Sequence, residues 1–325
     1  MKYLNQCRVA VTVALVACIV QQANAAVSRA FVKACQDGAD ARVAFHVTDD
    51  LGRPVPRAKV DVFFDMLDRS KARQITGDTD TNGFFVAEAK TGGVLKIRVS
   101  CDGYYCSKDE ISFIDMGHEH EVKRGRWQPW GMEKEIVLRP VKNPVAVKVP
   151  VERWRIASVT NKWIGFDLEK YDFVKPHGKG VVADMEVKVD WDGLRFPNSA
   201  GMDVFMRFTE KYAGGYYQDR VMGSDFKDAY FALTNAAYIK EFQFFEHPIR
   251  DAHGIMVRFD KSIFDPAKVL VIRSRCVLDE QGRLKEARYS QIADFGFSCA
   301  NTGWCIMLQA TYNPTPNDTN LEPKR

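Results

Sequence analysis

At 325 residues, with 46 Lys and Arg against 42 Asp and Glu, the chain is long enough to bury one or two cores and carries a formal charge of only +4. Its basic residues are interspersed with acids rather than gathered in a stripe, which argues against nucleic acid or an anionic surface as a partner. No segment beyond the first 25 residues approaches the length of a membrane helix, so no transmembrane segment is expected.

The first element is a leader. Lys2 and Arg8 mark a short basic region, residues 9–20 form an apolar run too short to span a bilayer, and Ala23-Asn24-Ala25 offers a cleavage site. Residues 1–25 therefore read as a signal peptide, and the protein is expected to be exported to the periplasm, the cell surface or the extracellular space. Leu15-Val16-Ala17-Cys18 offers a second reading, a lipobox with the mature protein anchored at Cys18, but Ile19 and Val20 continue the apolar run beyond it. Cleavage after residue 25 lowers the formal charge from +4 to +2 and leaves six cysteines: Cys35, Cys101, Cys106, Cys276, Cys299 and Cys305. In an exported chain an even number favours disulfides, with Cys101–Cys106 and Cys299–Cys305 as short-loop candidates. Buried thiols acting as small hydrophobes are the alternative.

From residue 41, Val43, Phe45 and Val47 alternate as one face of a strand, and Asp49-Asp50-Leu51-Gly52 makes a turn. After Pro54 and Pro56, Ala58, Val60 and Val62 resume the period of two. Further strands are expected from Phe84-Phe85-Val86, from Gly93 and from Glu133. Between them, Asp78, Asp80, Asn82 and Gly83 reproduce the opening of a calcium loop, yet Asn82-Gly83 between apolar runs is also a hairpin signal. The twelfth loop position, where calcium wants a bidentate acid, is Ala89, and Glu88 one place early would face the other side of a strand. The hairpin is the preferred reading.

Val47, Asp49, Gly52, Pro54, Val55, Ala58 and Val60, then Thr79, Asp80, Gly83 and Phe85, then Gly103 and Tyr104 follow a V-x-D-x-x-G-x-P-V-x-x-A-x-V, T-D-x-x-G-x-F, G-Y pattern. In these residues, about 40–139, the chain resembles the carboxypeptidase regulatory-like domains, a pattern that invasin-type bacterial immunoglobulin-like domains largely share. The resemblance implies an antiparallel β-sandwich of transthyretin or immunoglobulin type, with an accessory or adhesive role and no catalytic residues.

Pro140, Pro144 and Pro150 make residues 140–160 a linker. Residues 161–315 then show strand character in VVADMEVKVDWD, GMDVFMRFTEKY, GIMVRFD, KVLVIRSRCVLDEQGRLKEARYS and GWCIMLQATY, with Asp279-Glu280-Gln281-Gly282 as a hairpin turn. One short helix is expected near DFKDAYFALTNAAYIKEF, where Phe226, Tyr230, Leu233 and Ala237 fall near one helical face. Residues 316–325 read as a tail. The fold class is thus mainly β, a sandwich followed by a second, mostly β domain. The ending YNPTPNDTNLEP from Tyr312 resembles the tails of uncharacterised exported bacterial proteins that carry the same first module, which implies no activity.

Chemistry is sparse. His118-Glu119-His120 with Asp115 is a weak metal candidate set inside a hydrophilic loop, and no cofactor is implied. No H-E-x-x-H, G-x-S-x-G, P-loop or G-x-G-x-x-G motif occurs. Tyr212, Tyr216 and Tyr217 about Gly214-Gly215 form a candidate aromatic platform for sugar rings or a peptide. Trp127, Trp130, Trp154 and Trp163 are expected to cement the two modules. The expected function is binding or structural support without catalysis, with a glycan or a surface protein as partner. The alternative is a polysaccharide-processing enzyme with a carboxylate pair in the second domain, since such pairs are set by the fold and not by sequence spacing.

Overall fold

A computed structural model describes residues 29–115, 122–150, 154–191, 201–300 and 303–324, with residues 299–300 described by backbone only. The residues expected to form a leader, Cys18 included, lie outside the described residues. The chain divides into two units, Met1–Pro140 with Gly223–Asp225, and Val141–Met222 with Phe226–Arg325. The fold is mainly β, as expected.

Unit 1 opens with the one α-helix among the described residues, α1 (Arg29–Asp37), which ends at Gly38 in the left-handed region (φ 81°). Nine strands follow: β1 (Ala39–Asp49), β2 (Lys59–Phe64), β3 (Arg73–Asp78), β4 (Phe84–Thr91), β5 (Val94–Ser100), β6 (Ser107–Ser112), β7 (Val122–Lys123), β8 (Arg126–Trp127) and β9 (Met132–Leu138). The period of two in β1 is realised: Ala39, Ala41, Val43, Phe45 and Val47 are all buried. They pack against Val60, Val62, Phe64, Leu95, Ile97 and Val99 of the sheet β3-β2-β5-β6, which makes a sandwich with one core. Pairing within that four-stranded sheet is antiparallel. The other sheet departs from the expected pattern, because β1 is antiparallel to β4 but parallel to β9, from Val43↔Met132 to Asp49↔Leu138. The chain leaves β6 in one sheet and reaches β9 in the other, and such a crossover returns a strand in the direction of its neighbour, which a tight hairpin cannot do.

Unit 2 holds β10 (Trp154–Ala157), β11 (Ile164–Asp167), β12 (Asp172–Phe173), β13 (Met185–Trp191), β14 (Met202–Arg207), β15 (Gly214–Asp219), β16 (Glu241–Arg250), β17 (Met256–Ser262), β18 (Lys268–Leu278), β19 (Leu284–Ala300) and β20 (Gly303–Asn313). They form two antiparallel sheets, β10-β20-β19-β18-β15 and β12-β11-β13-β14-β16-β17. Phe166, Phe173, Met185, Val187 and Met206 of the second meet Ile272, Ile292, Phe295, Trp304, Ile306 and Leu308 of the first. A satellite cluster of Tyr216, Val269, Val271, Ala287, Tyr289 and Leu321 covers the opposite face of the first sheet.

The helix expected in DFKDAYFALTNAAYIKEF is absent; that segment is an irregular strap with Phe226, Ala229, Tyr230 and Ala232 buried. Its backbone donors are claimed from outside: Ala229 N–H by Gln291 Oε1 (3.0 Å), Leu233 N–H by Tyr216 Oη (2.8 Å) and Ile239 N–H by the Gly215 carbonyl (2.8 Å). Tertiary partners override a weak helical period. Of the tryptophans, Trp127 is buried in the unit 1 core, its ring edge-on to Phe31 and stacked on Phe113, instead of serving as a joint. Trp130 lies under Arg126 and Trp163 under Arg207, while Trp154 is half exposed.

Candidate functional site

The Asp78–Gly83 segment is a hairpin turn. Asp80 Oδ1 accepts the N–H groups of Asn82 (2.9 Å) and Phe84 (2.8 Å), and Gly83, at φ 79°, donates to the Asp80 carbonyl (3.0 Å). The same D-x-x-G turn recurs at Asp49, Asp251 and Asp279, each carboxylate capping the backbone two and four residues on. One carboxylate oxygen of Asp80 is thus spent on capping the turn, and Glu88 pairs with Arg42 (3.2 Å). Titrating calcium by calorimetry should give no binding heat. Asp80→Ala should instead cost unit 1 about 1–2 kcal/mol, because two N–H groups lose their acceptor. A tight calcium site abolished by that substitution would reverse the assignment.

His118 and His120 lie outside the described residues, and Asp115 is exposed. Among the described residues no group of three or more His, Cys, Asp or Glu is placed to hold a metal ion.

The three tyrosines do not share a surface. Tyr216 and Tyr217 are successive residues of β15 and so point to opposite faces. Tyr216 is buried against Tyr238 in the satellite cluster, whereas Tyr217 packs edge-on against Phe242 and Phe264 on the core side. Tyr212 donates its hydroxyl to the Gly282 carbonyl (3.1 Å) under Lys211.

The described thiols Cys35, Cys101, Cys106 and Cys276 are free in this structure, so the expected Cys101–Cys106 disulfide is not formed. The β5–β6 ladder pairs Val99 with Ser107, both buried, so Cys101 continues the inward parity and packs against the core. Cys106 takes the outward parity beside the Arg98 guanidinium. The β19–β20 register sets Cys305 opposite Ser298 and the Cys299 backbone opposite Trp304. Burial pushes Cys276 up to about 11, aided by the nearby Glu210 carboxylate, so this thiol is a poor nucleophile.

The densest charge constellation was not predicted. Arg275 sits at a bulge in β18 with φ 49°, uncommon for a residue with a side chain. Its Nη2 meets Asp167 Oδ1 (2.8 Å), its Nε meets Asp184 Oδ1 (2.9 Å), and its Nη1 reaches Glu169, which also binds Lys148 (2.6 Å). Both aspartates are buried and also cap backbone: Asp167 accepts from Glu169, Lys170, Val181 and Val182, Asp184 from Leu168 and from Ser274 Oγ. Burial alone would raise the Asp167 carboxyl, but these N–H groups and Arg275 outweigh it and hold it below the usual range. Lys148 above all, then Arg275, lowers Glu169. The Tyr312 ring lies 5.1 Å from the guanidinium; its cross-strand neighbour is the small Ser290, which leaves room for the ring to lean across the sheet. Beside this hub, Lys148, Arg155, Glu169, Lys170 and Tyr171 line a groove of about 390 Å³.

A carboxylate pair with this environment is ill suited to acid catalysis. A general acid needs a raised pKa and access to substrate, whereas both aspartates are inaccessible and the Asp167 carboxyl is held low. The hub instead fixes the β18 bulge to the β11–β13 connection.

The open chemistry of unit 2 lies on the outward face of β13, β14 and β16. Register sets Lys188, Phe205 and Gln243 in one row and Glu186, Arg207 and Glu241 in the next. Arg207 lies 4.0 Å over Trp163, just before β11, and Lys188 lies 4.6 Å over Phe205. In the third row Asp203 holds His247 Nε2 (3.0 Å) beside Phe245, whose ring stacks on the imidazole. All of this was missed because the residues come from four separated segments.

No family model matches the chain, and no curated protein matches it. Among solved structures it is similar to 3-chlorocatechol 1,2-dioxygenase from Rhodococcus opacus 1CP (13% identity, 33% of this chain and 62% of that one, TM-score 0.27). Similar too are chlorocatechol 1,2-dioxygenase from Pseudomonas putida (12%, 32% and 61%, 0.25) and hydroxyquinol 1,2-dioxygenase from Pseudomonas putida DLL-E4 (16%, 33% and 58%, 0.25). The chain spans about three-fifths of these structures, and likenesses this slight carry no argument about fold detail or activity.

Proposed function

We propose that the protein is an exported, non-catalytic binding or structural protein of the periplasm, cell surface or extracellular space. Unit 1 acts in this reading as a carboxypeptidase regulatory-like support; its D-x-x-G turns at Asp49 and Asp80 are the residues that carry the resemblance. The leader sequence supports export, and no helix among the described residues is long and apolar enough to cross a membrane.

One observation carries the binding role. The hub aspartates Asp167 and Asp184 are buried and paired with Arg275, whereas the face of Trp163, Lys188, Phe205, Arg207, Gln243 and His247 is half exposed and alternates rings with hydrogen-bonding groups. Rings of this kind stack on the apolar faces of sugars, and amide, imidazole and carboxylate groups beside them bond sugar hydroxyls, so a glycan is the favoured partner. Capture on immobilised glycans tests it. Phe205→Ala combined with Gln243→Ala should lower capture by about tenfold or more, the loss of roughly one stacking and one hydrogen-bond contact, with unchanged circular dichroism. Unchanged capture, or capture of surface proteins alone, would remove the glycan assignment; steady release of sugar products would show an enzyme instead.

A further inference from the structure

Residues 318–324 do not hang free. Asn320, Leu321 and Glu322 are all buried within unit 2. On one side they hold the connector that begins unit 2. Glu322 Oε1 accepts the Lys142 N–H (3.0 Å) and Oε2 the Asn143 N–H (2.7 Å), while Asn320 Nδ2 donates to the Asn143 carbonyl (2.6 Å). A short ladder continues this contact: Val145 N–H donates to the Glu322 carbonyl (2.9 Å), and Lys324 N–H to the Val145 carbonyl (2.8 Å).

On the other side the same residues hold the strap. Ala232 N–H donates to the Thr319 carbonyl (2.8 Å), and Leu321 N–H to the Tyr230 carbonyl (2.8 Å). Underneath, Leu321 enters the satellite cluster, and Gln291 of β19 binds both neighbours, its Oε1 accepting Ala229 N–H and its Nε2 donating to the Leu321 carbonyl. The segment is shaped by its own polar side chains. Asn313 Nδ2 donates to the carbonyls of Asp318 (3.3 Å) and Asn320 (2.7 Å), Asp318 Oδ1 accepts Asn320 N–H (3.0 Å), and Asn320 Oδ1 accepts Glu322 N–H (2.9 Å).

We propose that residues 318–324 form a latch, a conformational device that holds the connector and the strap together and that can open without loss of the sandwich beneath. Two features separate it from the core. Its grip is almost wholly hydrogen bonding, with Leu321 as its one fully buried apolar anchor, and few buried apolar contacts mark a segment that opens locally. The sheets it rests on have their own core, to which it contributes no residue. An open latch would free the strap from two of its backbone bonds and withdraw Leu321 from the satellite cluster.

The full chain, a chain ending at Asn317, and Asn320→Ala test this by tryptic digestion and hydrogen exchange. In the shortened chain, trypsin should cut at Lys142 and Lys227 while the amides of β18–β20 stay slow; a peptide of residues 314–325 added in trans should restore protection. Asn320→Ala should speed exchange at Val145 and Ala232 by about tenfold and leave β18–β20 unchanged. The proposal is overturned if the connector and strap stay protected in both variants, or if Asn320→Ala speeds β18–β20 as much as it speeds Val145. If the shortened chain does not fold, the Asn320→Ala comparison decides alone.

Discussion

Replacing Arg275 with methionine is expected to destabilise unit 2 by roughly 3–5 kcal/mol, the cost typical of stranding buried charge by removing one partner of an ion pair. Asp167 and Asp184 would keep their backbone donors but lose the cation between them. The penalty has a pH signature. Folded Asp167 and Glu169 titrate below their ordinary values, so their contribution is complete above the unfolded carboxylate range, about pH 4, and is lost as pH falls through the lower folded values. In the Arg275→Met protein that depression weakens, and protonation relieves repulsion instead. The gap in stability between the two proteins should therefore narrow as pH falls below about 4. Denaturant unfolding followed across pH 3–7 in roughly one-unit steps checks this. A constant gap, or one under about 1 kcal/mol, would show that the hub is no more than an exposed ion pair. Arg275→Met with Asp167→Asn and Asp184→Asn should recover part of the loss, since amides of the same shape are cheaper to bury than unpaired carboxylates.

Trp127→Ala is the matching experiment in unit 1, also expected to cost about 3–5 kcal/mol. The indole is about 1% exposed, packs on Phe31 and Phe113, and donates Nε1–H to the Thr91 carbonyl (2.9 Å). Removal opens a cavity, leaves that carbonyl without its indole donor and takes away the ring on which α1 rests through Phe31. Tryptic cleavage at Lys33 should appear together with the lower unfolding midpoint. Trp127→Phe should restore the packing of α1 but not the hydrogen bond. A change confined to the unit 2 transition would contradict the placement of this residue.

What could be read from the sequence was local. The inward positions of β1, β2 and β5 follow from a two-residue alternation, and D-x-x-G predicts a turn because an Asp carboxylate can cap the backbone it precedes while Gly supplies the positive φ. The same reasoning would have separated Tyr216 from Tyr217, which the platform reading grouped together, since neighbours on a strand cannot share a face. β16, EFQFFEHPIR, was missed because Phe242, Phe244 and Phe245 break alternation and Pro248 argues against a strand. The hub was not legible at all: Arg275 meets Asp184 across 91 residues and Asp167 across 108, and no spacing records such an encounter. Its one local trace is the pair Arg273 and Arg275 within the otherwise largely apolar run KVLVIRSRCVL.

The parallel partnership of β1 with β9 has a kinetic consequence. β1, the first of the described strands to be made, occupies the middle of its sheet, flanked by β4 and by a strand 89 residues later at Val43↔Met132. Half of its edge bonding is unavailable until nearly all of unit 1 has been delivered, and long-range pairing of this kind slows folding. A chain presented from its amino end, whether from a ribosome or through a membrane, therefore remains without its closing strand during most of that passage. Such a delay keeps a polypeptide threadable, and it leaves β1, with its buried Val43, Phe45 and Val47, as the segment most in need of protection until residue 138 arrives.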